Sequence, residues 1–327
     1  MSRAIFISSC ADPFILLLCV KFFQERFYEE VDKCYINVNN HAQVPKEVVR
    51  ELLGKLSQDS KIHLIYHPQG IGNGMPVTEM VLLSQEDNIL LLEDDGFIYT
   101  PGVVDGYFKK IESGETDLLG SPRYSYGEVA DAAKKKYNLD YSGIGDRGFG
   151  WWPNFFFAKR TDLLKTDLDF GSKKYPKGEY FKELDHTFTE DCYTDTFTWA
   201  SLQLRYMGLS IEEIPQFHAS PTEMEDKRDG KMNWENNKTP SYIHGGSLST
   251  SWNGYLSGKE PDVSNENAVR ELETRISWWQ ICSDVIEGYE EFKKQYKLGI
   301  VTLVSKGNLN DKRIKAKYDL YRNLLKI

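Results

Sequence analysis

Residues Ile89–Pro101 read ILLLEDDGFIYTP and carry the clearest structural signal in the chain. An apolar run ends there in three consecutive acids, Glu93, Asp94 and Asp95. Such a run predicts a strand buried on both faces, as in a parallel sheet. Ligands of open α/β sheets bind beyond the carboxyl ends of the strands. We therefore expect the acidic triplet to lie at a ligand-binding edge.

The residues before this stretch alternate between strand and helix patterns. Asp12-Pro13 is typical of a helix start, with Asp12 as the capping residue. Strands are predicted at Ala4–Ser9, Cys34–Val38, Ile62–Tyr66 and Asn88–Leu92, and helices from Pro13 to about Val31, at Lys46–Ser57 and at Pro76–Ser84. This order predicts an α/β fold with a Rossmann-like, mostly parallel sheet flanked by helices.

The second half of the chain is less regular. It predicts a strand at Asn154–Ala158, a helix over Cys192–Gly208 and a strand at Ser210–Ile214. Pro221–Lys259 is polar and Gly-rich, which favours a functional loop. We expect a catalytic domain over 1–220, a flexible active-site loop over 221–262 and a helical, basic carboxyl-terminal extension over 263–327.

Charge is unevenly distributed along the 327 residues. The net charge of −9 argues against a general polyanion-binding protein. Residues 293–327 nevertheless hold ten Lys or Arg and two Asp, a local charge of +8. This tail is either a solvated basic helix or a contact for something anionic, such as a membrane surface, a phosphorylated acceptor (for example a glycoconjugate) or nucleic acid.

The five cysteines show neither a CxxC pair nor zinc spacing, which favours reduced thiols in an intracellular protein. The apolar run Phe14–Val20 is too short to cross a bilayer, and no stretch approaches 18 apolar residues. We expect a cytoplasmic protein without a transmembrane segment.

Three adjacent carboxylates repel one another, and a divalent cation offsets that repulsion. Oxygen ligands suit hard ions such as Mg²⁺ or Mn²⁺, which bind through one or two carboxylates together with substrate phosphates. The triplet therefore predicts a metal–diphosphate site. The alternative is an acidic turn on the protein surface.

A strand that ends in an acidic triplet, followed by an apolar pair and a proline, resembles the DxD motif of GT-A glycosyltransferases similar to family 2. The resemblance implies that Asp95 holds the metal and that Glu93 and Asp94 contact the nucleotide. Glu93 stands where the family usually has Asp. The Arg-Asn pair that the family carries in the preceding helix is absent.

The same resemblance extends to other residues. Ser8, Ser9 and Asp12 match the nucleotide-binding loop after the first strand of the family. Glu190-Asp191 resembles the Glu-Asp pair that precedes a later helix. A carboxylate there would take the proton of the acceptor hydroxyl, so Asp191 is the predicted base and Glu190 a positioning group. The alternative is that these acids cap the helix.

Two histidines and two tryptophans complete the candidate site. The family often uses a late histidine as a metal ligand, which makes His244 and His218 candidates beside structural roles. Trp151 and Trp152 are candidates for the sugar or acceptor face of the cleft, and equally for the core.

The resemblance implies a metal-dependent glycosyltransferase that moves a hexose or pentose from a nucleotide sugar, by analogy a UDP-sugar, with inversion. The acceptor is either a glycan or glycoconjugate, or a hydroxymethylated DNA base. Two other functions remain open: a sugar nucleotidyltransferase, and a non-catalytic module that binds sugar or nucleic acid.

Overall fold

The computed structural model describes residues 1–9, 13–40, 46–72, 74–98, 100–120, 122–123, 128–137, 150–151, 153–214, 217–219, 228–235 and 239–244. The helices in these ranges are α1 (Pro13–Phe22), α2 (Lys46–Leu56), α3 (Met75–Leu83), α4 (Val103–Ser113), α5 (Glu128–Tyr137), α6 (Arg160–Leu163) and α7 (Thr198–Tyr206). A π-helical turn, Phe23–Phe27, and a 3₁₀ turn, Tyr28–Glu30, continue α1.

The strands in the same ranges are β1 (Arg3–Ser9), β2 (Lys33–Asn39), β3 (Ile62–His67), β4 (Asn88–Glu93), β5 (Gly96–Ile98), β6 (Leu118–Gly120), β7 (Pro122–Arg123), β8 (Gly150–Trp151), β9 (Phe156–Lys159), β10 (Lys173–Tyr175), β11 (Tyr180–Phe181), β12 (His186–Thr187), β13 (Cys192–Thr194), β14 (Ile211–Glu213), β15 (Phe217–Ala219), β16 (Arg228–Glu235) and β17 (Thr239–His244).

A seven-stranded sheet with the order β14-β6-β9-β4-β1-β2-β3 forms the centre of the molecule. All its strands run parallel except β9, which is antiparallel to both β4 and β6. The sheet is mainly parallel and is flanked by helices, so the predicted α/β fold class is confirmed. The predicted strands at the start of the chain correspond to β1, β2, β3 and β4.

Helices cover both faces of the sheet because its strands are apolar on both sides. On one face, Phe6 of β1 and Leu91 of β4 lie in one buried cluster with Met80 of α3 and Leu204 of α7. On the other face, α4 packs against β9, where the Phe108 and Phe157 rings lie 5.2 Å apart. Burial of such side chains supplies the main stabilising free energy of the fold.

The strand order reverses direction between β1 and β4. The chain passes outward from β1 through β2 to β3, then returns through α3 to the opposite side of β1 and forms β4. The connections that leave β1 and β4 therefore diverge, which opens a crevice at their carboxyl ends. In doubly wound sheets this switch point is where ligands bind.

Two expectations for the second half of the chain are wrong. The predicted helix over Cys192–Gly208 begins only at Thr198, because Cys192–Thr194 instead forms β13 and pairs with Lys173–Tyr175. Phe197, with φ 69°, lies directly before α7 in the left-handed conformation, which separates the strand from the helix.

The predicted irregular loop after Pro221 contains β16 and β17, which join β15 and β5 in a four-stranded sheet. The domain boundaries near residues 220 and 262 stay predictions. The expected helical extension, residues 263–327, lies outside the described residues. No helix in the described ranges has the length and apolarity needed to cross a membrane.

Candidate active site

The carboxyl ends of β1 and β4 meet at the switch point of the sheet. Their parallel register places Ser8 beside Glu93. The Asp94 N–H donates to the Ser8 carbonyl at 3.0 Å, and the Ser9 hydroxyl donates to Asp94 Oδ2 at 2.7 Å. The structure thus joins the predicted nucleotide-loop serines to the acidic triplet. Asp12, the third residue predicted for that loop, lies outside the described residues.

The turn that carries the triplet is held by close packing. The Glu93 N–H donates to Asn154 Oδ1 at 3.2 Å, and Asn154 is fully buried. A Cβ atom on Gly96 would lie 2.4 Å from Asn154 Oδ1 and 2.8 Å from a methyl carbon of Leu92. Only glycine therefore fits at residue 96. The glycine directly after the three acids is the signal of this constraint in the sequence.

Asp94 and Asp95 lie in poorly solvated surroundings, with 2% and 3% of their surfaces exposed. The Cys19 thiol nearby donates to the Gly96 carbonyl at 3.4 Å. Burial raises the pKa of this thiol well above its usual value, and the negative charges of Asp94 and Asp95 raise it further. Cys19 therefore stays neutral next to a buried, negatively charged turn.

These carboxylates fit a hard divalent cation. Burying a carboxylate costs several kcal/mol of desolvation free energy per ion. Two adjacent carboxylates that are almost fully buried are therefore unfavourable unless nearby charge or hydrogen bonds compensate them. Asp94, Asp95 and the partly exposed Glu93 offer oxygen donors alone, the kind that Mg²⁺ and Mn²⁺ prefer. The metal itself stays a prediction.

The small four-stranded sheet brings one predicted histidine to this turn. Gly96 of β5 pairs with His244 of β17, which pairs in turn with Lys231 of β16, and Lys231 pairs with His218 of β15. The backbone of His244 therefore adjoins the residue after Asp95. His218 lies three strands away in the same row, at roughly 14 Å for ordinary strand spacing. This placement favours His244 over His218 as a metal ligand.

Polar side chains at the ends of β2 and β3 extend the site beyond the predicted residues. Asn37 pairs with Ser8 in the parallel register and is fully buried. Its amide nitrogen donates to Glu79 Oε2 at 2.8 Å, and Nε2 of His67 lies 2.7 Å from the same oxygen. The sequence contained this signal, since Asn37 is polar near the carboxyl end of an apolar strand, as the triplet is.

Glu190 and Asp191 lie elsewhere, on the exposed segment that enters β13. Asp191 Oδ1 accepts a hydrogen bond from the Lys177 N–H at 2.8 Å. The Glu190 N–H donates to Glu128 Oε2 at 3.3 Å. The pair precedes strand β13 rather than a helix, so the alternative that these acids cap a helix is wrong. The predicted catalytic roles of these two acids are untested.

Glu128, the first residue of α5, holds this segment together. Its carboxylate accepts from the Thr189 N–H at 2.8 Å and from the Thr189 hydroxyl at 3.0 Å, and it lies 2.7 Å from His186 Nε2. Burial acts to raise its pKa, but the hydrogen bonds from His186 and Thr189 outweigh that effect and lower the pKa to about 2. Both carboxylate oxygens are occupied, so Glu128 is structural although Glu190 and Cys192 lie near it.

The acid that does precede α7 is Asp195. The Thr198 N–H, in the first turn of the helix, donates to the Asp195 carbonyl at 3.2 Å. The Phe197 ring lies 4.8 Å from that of Phe156, which pairs with Leu91 two residues before the triplet. The residue before α7 therefore packs on β9, beside the carboxyl-terminal half of β4. The predicted helix began at Cys192 and so enclosed Asp195, which the sequence therefore did not single out.

Trp151 belongs to the core. Its side chain has no exposed surface and packs on Phe156 at 5.9 Å between ring centroids. The Arg205 guanidinium lies 4.6 Å from the centre of the indole ring, and the backbone N–H of Trp151 donates to Ser201 Oγ at 3.1 Å. A fully buried ring presents no face to a sugar, which favours the core alternative. Trp152 lies outside the described residues.

Comparisons with known proteins add little to this geometry. No family model and no curated protein match the chain. Among solved structures, the chain is similar to residues 1–349 of S. aureus TarS, a glycosyltransferase, at 9% identity and a TM-score of 0.41, over 100% of this chain and 90% of that one. A likeness at this level carries no argument about function.

Proposed function

We propose that the chain is a metal-dependent glycosyltransferase that moves a sugar from a nucleotide-diphosphate sugar to an acceptor hydroxyl. The observation that carries this proposal is the burial of Asp94 and Asp95 at the switch point between β1 and β4. Nucleotides bind at this edge of doubly wound sheets. Buried carboxylates there favour a cation that the diphosphate can share. By analogy with the family that the motifs resemble, the donor is a UDP-sugar.

Each residue of the turn has a distinct part in this proposal. Ser9 donates to Asp94 and thereby orients one carboxylate of the triplet. Asp95 and Glu93 would hold Mn²⁺ or Mg²⁺, with His244 as a further candidate ligand. When bound, the metal supplies Lewis-acid stabilisation of the departing diphosphate. Ser8, which is partly exposed at the carboxyl end of β1, would border the nucleoside.

The proposed base is the carboxylate of Asp195. The acceptor oxygen attacks the anomeric carbon as its proton passes to Asp195, and the bond from that carbon to the diphosphate oxygen breaks. The electron pair of that bond leaves with the nucleotide diphosphate, and in-line attack inverts the anomeric centre. The position of Asp195 before α7, next to the end of β4, supports this assignment over Asp191.

The test is nucleotide diphosphate release from a panel of nucleotide sugars, with Mn²⁺, Mg²⁺ or EDTA. We expect metal-dependent release from one donor and a loss of roughly 10²–10³-fold in Asp95→Asn, since charge stabilisation of the transition state is lost. Asp131→Asn is the matched control, because Asp131 is an exposed aspartate on α5, and it should retain the wild-type rate.

Two results would contradict the proposal. The first is an absence of both release and donor-induced thermal stabilisation across the panel. The second is pyrophosphate release from a nucleoside triphosphate and a sugar 1-phosphate, which would identify a sugar nucleotidyltransferase.

A further inference from the structure

We infer that the outward face of β13 is the acceptor platform, and that it takes a neutral carbohydrate. The inference rests on the proposed function and deepens it, because it names the class of acceptor. The face is formed by Asp191 and Tyr193, and continues to Asp195 directly after the strand; we call it the β13 face.

The alternation of side chains along β13 creates this surface. Thr194 is buried, and Cys192 packs against the core cluster that contains Tyr175 and Trp199. Asp191 and Tyr193 are exposed on the opposite side, with 58% of the Tyr193 surface accessible. Residues two apart on a strand lie about 7 Å from each other on the same face. The β13 face therefore presents a tyrosine ring next to a carboxylate.

The β13 face leads to the reacting centre. Asp195 follows the strand directly and is partly exposed. Two residues later, the Phe197 ring lies 4.8 Å from Phe156, beside the end of β4 that carries the triplet. A ligand that lies along the β13 face would therefore reach from Asp191, across Tyr193, to the proposed base. This is the path that an acceptor needs.

The chemistry of the β13 face suits a sugar. A tyrosine ring offers a flat apolar surface with a polar hydroxyl, which matches the C–H face and the hydroxyls of a pyranose. Carboxylates such as Asp191 accept short, charge-assisted hydrogen bonds from hydroxyl groups. Lys174 pairs with Tyr193 across the strands and is also exposed, so it adds a donor at the edge of the ring.

The charge of this region disfavours phosphate. Residues 173–195 contain six acids and four lysines, a net charge of −2 with neutral histidine. Glu190, Asp191 and Asp195 lie along or next to the β13 face. Strand pairing places one exposed lysine, Lys174, beside them. A phosphodiester there would meet three carboxylates that each repel it by about 1 kcal/mol at 4 Å in water, and one ammonium group that attracts it by a similar amount. The β13 face therefore favours a neutral glycan over DNA or a phosphorylated glycoconjugate.

The experiment measures acceptor kinetics of the full chain with neutral disaccharides and oligosaccharides, phosphorylated sugars and hydroxymethylated oligonucleotides. Tyr193→Ala should raise the acceptor KM at least tenfold, while donor hydrolysis without acceptor stays at the wild-type rate. Tyr193→Phe and Tyr193→Trp should restore most of the affinity, because both keep an aromatic face. Tyr180→Ala is the control, since Tyr180 is 60% exposed on the neighbouring hairpin and its hydroxyl donates to Asp185.

The outcomes separate this inference from the proposed function. Donor hydrolysis by the wild type together with an unchanged acceptor KM in Tyr193→Ala would overturn the inference alone. Transfer only to phosphorylated sugars or to the oligonucleotide would overturn it as well. An absence of any donor hydrolysis or transfer in the wild type would overturn the proposed function, and this inference with it.

Discussion

Two acidic regions of the molecule differ in how their carboxylates are surrounded. In the triplet after β4, Asp94 and Asp95 are almost fully buried, on a backbone turn fixed by Asn154 and Gly96. In the segment before β13, Glu190 and Asp191 are exposed, and the partly buried Glu128 beneath them accepts several hydrogen bonds.

The comparison shows that acidic pairs that look alike in a sequence can have different roles in a fold. The buried carboxylates lie at the sheet edge where we propose a cation, whereas Glu128 accepts hydrogen bonds at both carboxylate oxygens and stabilises the loop around it. Substitutions in each region test whether the triplet serves catalysis and the Glu128 segment serves stability.

The largest effect is expected for the acid that receives the acceptor proton. Asp195→Asn should lower kcat for transfer by about 10²–10⁴-fold, because an amide cannot take the proton. Asp191→Asn should change kcat less than tenfold and should act mainly on the acceptor KM. Steady-state transfer kinetics of both variants decide the matter, and a larger kcat loss in Asp191→Asn would return the base role to Asp191.

The second-largest effect is expected at Gly96, in the turn that carries the triplet. Gly96→Ala should lower the free energy of unfolding by about 1–3 kcal/mol, since its Cβ overpacks the space beside Asn154 and Leu92. It should also abolish metal-dependent release. Gly106→Ala on α4 is the control, because no atom lies within 4 Å of its added Cβ. Denaturant unfolding measures both, and equal stability of the two variants would contradict the packing argument.

Glu128 should affect stability in a pH-dependent manner. Its pKa in the folded state is about 2, below the usual 4.5, so its stabilising contribution is present above pH 4.5 and is lost as pH falls through about 2. Glu128→Gln should therefore lower Tm at pH 7, and the difference from wild type should shrink between pH 4.5 and 2. Thermal melts across this range test the prediction, and a constant difference would show that charge is not responsible.

Ser9→Ala should have the smallest effect. It removes one hydrogen bond to Asp94 and should reduce the free energy of unfolding by about 1 kcal/mol, the typical net value of one hydrogen bond. Transfer should fall by no more than about tenfold, because Asp94 keeps its place through the hydrogen bond from its N–H to Ser8. A loss as large as that of Asp95→Asn would mean that Ser9 itself contacts the donor.

Local patterns predicted the first half of the fold well. The apolar runs of β1, β2 and β4 reflect burial on both faces of the sheet, and the helices between the strands follow the periodicity of their own residues. The second half was harder to predict. Cys192–Thr194 fits a helical pattern by spacing, yet it forms a strand because Lys173–Tyr175 pairs with it and Tyr175 packs in the adjoining core. That pairing partner is about twenty residues away and leaves no local signal.

The sequence alone determined the alternation of strands and helices at the start of the chain and the position of the acidic triplet at the end of β4. These depend on residues that are close together in the chain. Only the tertiary structure decided that Trp151 is buried, that His244 rather than His218 adjoins the triplet, and that Asp195 precedes α7. Each of these depends on strand register or packing between distant segments, which the fold sets through burial and hydrogen bonding across the whole sheet.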